Sequence, residues 1–376
     1  MPHSHRPIPR LLNGPGRLAE LGSEVAALGV SRVLVVTDPG IVAAGHVARA
    51  LGYLAAAGVE ATVFQGSQAN PTEADIEACR EFAAAVNPEA LIGLGGGSSM
   101  DTAKGCNFLL HNGGRMADYR GYGLATNPML PFIAIPTTAG TGSECQSYAL
   151  VSSDESHEKM ACGDPKALAR FAILDPELTA SQPRIVATLT AIDALSHALE
   201  SAVCTARNPV SSQHSAKAFK LIAGAIHPVM AGSASLEQRG NMLLGAAFAG
   251  CAIETSMLGA AHAAANPLTA TFNLAHGHAV AVMLPQVIQF NSQDPATAAI
   301  YAELSRMLGR PLPGWLDETL ALANLPAPAI DPAAIPALAA AASHQWTGRF
   351  NPVPLTESRF AKLYENALIA PQAALS

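Results

Sequence analysis

EALIGLGGGSSMDTAK, residues 89–104, joins a short apolar run to three consecutive glycines and then to a polar segment of helical character. Ala90 to Leu94 is short, apolar and ended by glycine, which reads as a buried strand. Gly95, Gly96 and Gly97 follow, and Ser98 and Ser99 open a helix that includes Asp101 and Lys104. Glycines let a backbone approach a ligand closely, and the free N–H groups and positive dipole end of a helix start suit a phosphate. A pyrophosphate fits this turn, with Gly96, Gly97, Ser98 and Asp101 as candidate contacts. The same residues also read as a capped strand-to-helix turn, because Ser98 and Asp101 have capping-box spacing. The loop is neither a G-x-G-x-x-G nor a P-loop.

Working outward, similar apolar runs recur at SRVLVVTD (31–38), ATVFQG (61–66) and PFIAIPTT (131–138), with helix-period segments such as EADIEACREFAAAV (73–86) between them. Strands alternating with helices predict a parallel sheet covered on both faces. A second polar, glycine-bearing turn follows the last of these runs, in IAIPTTAGTGSE (133–144), and offers Thr137, Thr138 and Thr141. Parallel sheets bind ligands beyond the carboxyl ends of their strands, so the two turns together favour a nucleotide. Asp38 ends SRVLVVTD, where a carboxylate accepts from a ribose 2′-hydroxyl and repels a 2′-phosphate, favouring NAD over NADP; Asp38-Pro39-Gly40 also reads as an ordinary turn. From Pro183 the strand signals vanish and Ala/Leu-rich helical segments run to the end. The expected organisation is therefore an α/β dinucleotide-binding domain over residues 1–182 and an all-helical domain over 183–376.

With 376 residues, 49% apolar and 14% charged, the chain has ample material for two buried cores. A net charge of −7 without a basic stripe argues against nucleic acid, and no basic amphipathic helix points to a membrane. The apolar stretch NMLLGAAFAGCAIETSMLGAA (241–261) carries Glu254 and many small residues, and reads as a buried helix. Six cysteines lack C-x-x-C spacing and MPHSHRPIPR lacks the apolar run of a secretory signal, so a cytoplasmic protein with reduced thiols is expected.

In TAIDALSHALES (190–201), Asp193 and His197 stand four apart, on one face of an apolar helix. This pair is either two ligands for one ion or a hydrogen bond that orients a core histidine. GAAHAAANPLTATFNLAHGHA (259–279) adds His262, near a helix end expected just before Asn266-Pro267, and His276, where the next helix begins. A helix, loop and helix would let both reach a shared pocket, giving three imidazoles and one carboxylate, a set that suits Fe²⁺ or Zn²⁺. His278, two residues after His276, should face elsewhere. His3, His5, His46, His111, His157, His214, His227 and His344 have no partner at ligand spacing and read as surface or core residues.

GGGSSMDTAK, PTTAGTGSE, AIDALSHALES, GAAH with HGHAVAVMLP, and FNPVPLT together resemble the ordered motifs of the iron-containing, group III alcohol dehydrogenase family, and the likeness runs from NGPGRL at residue 13 to the C-terminus. The resemblance implies a Rossmann-like domain followed by a helical domain of the dehydroquinate-synthase type. It implies a metal, Fe²⁺ before Zn²⁺, held in the cleft by Asp193, His197, His262 and His276, which are thereby the catalytic residues. NAD is implied to lie with Asp38 at the adenosine ribose and Asn70 nearby, with Gly96, Gly97 and Ser98 at the pyrophosphate, and with Thr137, Thr138, Thr141 and Lys159 toward the nicotinamide ribose. The activity implied is hydride transfer between NAD(H) and a small or medium alcohol and its aldehyde or ketone, in an enzyme that is commonly a homodimer or larger. Many members carry H-x-x-x-H where this chain has His262 and Asn266, so a histidine relay at that position is in doubt. Tyr148, Leu150, Asn266, Met257 and Leu258 are candidate pocket residues. Two branches are the alternatives: a metal-free reductase like the maleylacetate reductases, and a lyase like dehydroquinate synthase.

Overall fold

The computed structural model describes residues 7–155 and 158–369, so His3, His5 and His157 lie outside the described residues. The chain divides into two compact units, Pro7–Gln182 and Pro183 onward.

Among the described residues the first unit contains nine strands: β1 (Arg10–Asn13), β2 (Arg32–Val36), β3 (Glu60–Phe64), β4 (Ala90–Gly95), β5 (Gly121–Tyr122), β6 (Phe132–Pro136), β7 (Tyr148–Ser152), β8 (Lys159–Gly163) and β9 (Phe171–Leu174). Its helices are α1 (Leu21–Ala26), α2 (Pro39–Ala43), α3 (His46–Ala56), α4 (Glu73–Val86) and α5 (Gly97–Asn112). Six strands form one sheet in the order β1-β9-β6-β4-β2-β3, with every pair parallel. All six residues of β4 are buried, as expected of a central strand with helices on both faces. Val33, Val35, Ile92, Leu94, Ile133, Ile135 and Ile173 form its core, each worth roughly 1.5–3 kcal/mol of burial. The chain leaves β2 for β3 on one side and returns to β4 on the other, so the order reverses at the β2/β4 boundary, the point where doubly wound sheets bind ligands.

The expected strands at β2, β3, β4 and β6 are present. Sequence reading missed β1 and β9 at the sheet edge, and also the small sheet β5-β8-β7, where β7 and β8 run antiparallel. The expected capping box at Ser98 is absent: the cap residue of α5 is Gly96, two residues earlier, and no side chain caps the helix. Asp38, read as a turn or a ribose contact, caps α2, its Oδ1 accepting from the Ile41 amide at 3.1 Å.

The second unit is helical among the described residues: α6 (Arg184–Val203), α7 (Pro209–Ala231), α8 (Leu236–Thr255), α9 (Ala260–Phe272), α10 (His276–Asn291), α11 (Pro295–Leu308), α12 (Leu312–Ala323), α13 (Ile335–Ser343) and α14 (Glu357–Leu368). From Ala191 to Val203 every residue of α6 is buried, and small side chains let α7, α8 and α10 close around it. A Cβ on Gly245 would lie 2.8 Å from Ile222, so this glycine sets the approach of α8 to α7. The apolar stretch at 241–261 is a buried helix to Thr255, and no single helix among the described residues is long and apolar enough to cross a membrane. One expectation is corrected: the helix carrying His262 does not end before Asn266-Pro267 but continues through Pro267 to Phe272. Proline removes one ladder bond, while Leu268 and the alanines around His262 are fully buried. That packing outweighs the lost bond.

Candidate functional site

In the helical unit, α6 delivers Asp193 and His197 from successive turns of one face. Residues Asn273–Ala275 separate α9 from α10 and turn His276 back toward His262. The closeness of α10 to α6 depends on Gly277, whose Cβ would fall 2.2 Å from the Leu189 carbonyl oxygen. Only glycine fits there, and this brings its neighbour His276 to within reach of Asp193.

Donor atoms of Asp193, His262 and His276 all lie within 4.8 Å of one another, and His197 joins them through Asp193 and His262. Asp193 Oδ1 lies 3.4 Å from the Nε2 of His197, 3.4 Å from that of His262 and 3.6 Å from that of His276. The Nε2 atoms of His197 and His262 are 3.1 Å apart. Donors about 2.0–2.2 Å from a shared cation are separated by roughly 3.3–3.6 Å at tetrahedral angles, which the three approaches to Asp193 Oδ1 match, while the His197–His262 approach is also of hydrogen-bond length. Asp193 Oδ1 is buried and has no hydrogen-bond partner among the described residues, which a cation would remedy. Of the two readings of the Asp193/His197 pair, this geometry supports ligation.

The electrostatics agree. Burial works against an ionised Asp193, but His197 and then the other two imidazoles hold its carboxyl well below the usual carboxylate range. Burial also works against a charged His262, yet Glu200 and Asp193 outweigh it and raise this imidazole to about 9. The cluster demands a positive charge, which either a proton or a metal ion can provide.

Sequence reading missed Glu200. It lies one turn beyond His197 on the same face of α6, is 4% exposed, and accepts from the Nδ1 of His262 and from the Ala261 amide at 2.7 Å. The signal was available as the i, i+4, i+7 stripe Asp193, His197, Glu200. His278 is buried on another side of α10, where burial lowers its pKa. The remaining described histidines are surface or core groups: His46 meets Ser181 at 2.7 Å, His227 meets Thr319 at 2.8 Å, and His214 stacks on Phe248.

In the α/β unit, the carboxyl ends of β2, β4 and β6 assemble a second constellation. Gly95 has φ of 154°, and a Cβ there would lie 2.4 Å from Ser99 Oγ and 3.4 Å from Asp38 Oδ2. Ser99 Oγ donates to that Asp38 oxygen at 3.4 Å, so Asp38 stands at the glycine turn. The Thr137 amide donates to the Gly95 carbonyl at 2.9 Å, Gly96 faces Thr138, and a Cβ on Gly97 would meet Thr141 at 2.7 Å. The two glycine-bearing turns are thus stitched into one cradle, lined by backbone and short hydroxyl side chains. Ser98 sits half-buried in the first turn of α5. Lys159 Nζ donates to Asn70 Oδ1 at 3.2 Å, bringing those two candidates together.

Asp101 has a bracing role. It accepts from Ser143 Oγ at 2.8 Å and lies 3.6 Å from Lys104 Nζ. Lys104 is fully buried and donates to Ser143 O, Ser143 Oγ and Tyr148 O at 2.7–2.8 Å, tying α5 to the second turn. Tyr148 lies on β7 with its ring against Tyr122, whereas Asn266 belongs to the helical unit, where its Nδ2 donates to Gln345 Oε1 at 3.0 Å. Leu150 also lies on β7, and Met257 is buried in the helical unit.

Two family models match the chain, "Iron-containing alcohol dehydrogenase" over residues 9–176 and "Fe-containing alcohol dehydrogenase family, C-terminal" over residues 187–368. Alcohol dehydrogenase 4 of Schizosaccharomyces pombe is 34% identical over 310 residues, which cover 82% of this chain and 74% of the relative. An alcohol dehydrogenase structure from Oenococcus oeni superposes with a TM-score of 0.90 at 27% identity, covering 96% of this chain and 98% of that one. A sulfoacetaldehyde reductase from Bifidobacterium kashiwanohense, solved in complex with NAD⁺, superposes with a TM-score of 0.88 at 25% identity, covering 97% and 98%. The chain belongs to the iron-containing alcohol dehydrogenase family.

Proposed function

We propose that this protein is a metal-dependent, NAD(H)-linked oxidoreductase that interconverts a small or medium alcohol and its aldehyde or ketone. The observation that carries the reading is the convergence of Asp193, His262 and His276 at ligand spacing, with His197 beside Asp193 and His262 as the fourth donor. Three imidazoles with one carboxylate suit Fe²⁺ or Zn²⁺, and the iron-containing family favours Fe²⁺ first. When bound, such a cation makes a hydroxyl more acidic and polarises a carbonyl.

What the chain itself supplies is position and charge. The four side chains come from rigid helices rather than loops, so they hold the reacting oxygen's environment without reorganising. Glu200 contacts the Nδ1 of His262, and the Nε2 of His262 lies on the side of Asp193. In the α/β unit, Gly96, Gly97 and Ser98 offer close backbone approach for a pyrophosphate, and Thr137, Thr138, Thr141 and Lys159 offer polar contacts for a ribose. Asp38, beside the glycine turn, supports NAD over NADP because a 2′-phosphate would meet its carboxylate. The NAD⁺ complex of the Bifidobacterium relative supports the same cofactor. Asn266 does not titrate and is held by Gln345, so a proton leaving the substrate has no imidazole relay at this position.

The intact donor set supports the metal-dependent branch over a metal-free reductase. All six cysteines are unbridged, which supports a reducing, cytoplasmic setting, and a homodimer or larger assembly is the oligomeric state we propose with it. The decisive experiment is elemental analysis of the purified protein, followed by a panel of alcohols and aldehydes with NAD(H) and NADP(H), read by absorbance. Stoichiometric Fe or Zn with NAD-linked turnover supports the proposal. Turnover undiminished after complete metal removal defeats it.

A further inference from the structure

Helix α9 begins without a cap of its own: Gly259 precedes it and has no side chain with which to satisfy the first amides. Two remote side chains do so instead. Asn351 Oδ1, from the FNPVP segment, accepts from the Ala260 amide at 3.2 Å, and Glu200 Oε1, from α6, accepts from the Ala261 amide at 2.7 Å. The other Glu200 oxygen accepts from the Nδ1 of His262, the next residue along. A Cβ on Gly259 would lie 3.1 Å from both acceptor oxygens, so glycine is what lets the two side chains meet over this turn.

Asn351 is itself locked. Its Nδ2 donates to Asn291 Oδ1 at 2.7 Å and to the Val353 carbonyl at 2.8 Å, while Asn291 Nδ2 donates back to Asn351 Oδ1 at 3.0 Å. Asn291 is the last residue of α10, the helix that His276 begins. The FNPVP segment therefore ties together the two helices that carry His262 and His276.

We infer that Glu200 is a positioning residue that fixes the tautomer of His262, keeping the proton on Nδ1 so that Nε2 presents a lone pair to a divalent cation. The inference rests on the metal reading above. Its chemistry is set by counting acceptors. The Ala261 amide and the protonated Nδ1 are both donors, and a carboxylate has an oxygen for each. A glutamine has one oxygen, which the fixed backbone amide claims. Its NH₂ then faces Nδ1, which must accept, and the imidazole proton moves to Nε2. A protonated Nε2 binds no cation.

The test uses the full-length protein, stripped by chelator and titrated with Co²⁺ alone, with visible absorption reporting ligand geometry and a competing chelating dye reporting affinity. Glu200→Gln should bind Co²⁺ about 10–100-fold more weakly than wild type, with a diminished ligand-field band. Glu200→Asp, which keeps both acceptor oxygens, should recover part of the loss. A merely structural role for Glu200 would lower thermal stability while leaving Co²⁺ affinity and spectrum at wild-type values, and that result overturns the inference. Should Glu200→Gln fail to fold, ¹⁵N-histidine NMR of the Zn²⁺-loaded wild type decides: His262 protonated at Nδ1 supports the inference, and Nδ1 without a proton overturns it. A His262→Ala variant separates this from failure of the underlying reading. If His262→Ala binds Co²⁺ as tightly as wild type, the metal assignment falls and this inference falls with it.

Discussion

The cradle at the ends of β2, β4 and β6 is made of backbone and short side chains, whereas the α6/α9/α10 cluster is made of four long polar side chains on helices. Each has its own way of failing. The cradle tolerates loss of a side chain but not the gain of one at Gly95 or Gly97, where a Cβ would come within 2.4–2.7 Å of a neighbouring side chain. The cluster loses its purpose when a single donor goes, because a buried carboxylate and the remaining imidazoles are then short of a partner. Buried acids show the same contrast: Asp193 is held ionised by imidazoles, while Glu144, next to the second turn, is pushed by burial toward its neutral form.

Substitutions should therefore separate the two regions. The largest effect is expected from His262→Ala, which removes both a proposed ligand and the partner of Glu200. Bound metal should fall below a tenth of wild type by elemental analysis and turnover should nearly vanish, with NADH binding by fluorescence unchanged. Loss of NADH binding in this variant would break the proposed independence. Gly277→Val comes next. Its side chain meets the Leu189 carbonyl, a backbone atom with nowhere to go, so a cost of about 3 kcal/mol in urea unfolding and reduced metal affinity are expected, again with the cofactor side spared.

Glu144 tests the acid half of the contrast. Burial raises it to about 7 from an ordinary value near 4.5, and its Oε1 has no hydrogen-bond partner. For an acid with a raised folded pKa, the stabilisation is fully present below pH 4.5 and is lost as pH rises through 7. Relative to Glu144→Gln, wild type should lose roughly 3 kcal/mol across that window. Urea unfolding at a series of pH values measures it, and parallel curves for the two proteins would refute the assignment. On the cradle, Gly97→Val should displace Thr141 and weaken NADH binding about tenfold, roughly 1.4 kcal/mol, with metal content intact.

The parts of the molecule that were legible in the sequence are those where one local pattern decides. Val33 to Val36 and Leu91 to Leu94 are apolar runs ended by Asp or Gly, and central strands buried on both faces read that way. Edge strand β1, with sequence RLLN, is half-exposed and polar at both ends, so it carries no such signature. Its placement comes from pairing with Phe171–Leu174, more than 150 residues away. Pro267 misled for a related reason, since proline is a local stop signal and the burial that overrides it is tertiary. The clustering of the proposed ligands was legible because Asp193 and His197 share a helix face and the other two histidines flank a loop. Glu200 was in plain view at the next position of that face, but a carboxylate on an apolar helix is ambiguous until the helix it braces is seen. The roles of Lys104 and Asp101 were hidden because both depend on Ser143, some forty residues on.

Asp38 gives the smallest expected effect and the finest test of the comparison, because it is the one cradle residue whose argument rests on a charge. Its Oδ1 caps α2 and its Oδ2 takes the Ser99 hydroxyl, so Asp38→Asn keeps a capping oxygen while removing the negative charge. Stability should change by less than about 1 kcal/mol. The ratio of kcat/KM for NAD to that for NADP should fall severalfold, because repulsion of the 2′-phosphate is gone while a 2′-hydroxyl can still be bound. Metal content should not move. An unchanged cofactor ratio with lowered stability would reduce Asp38 to a helix cap and leave the preference for NAD to be carried elsewhere in the cradle.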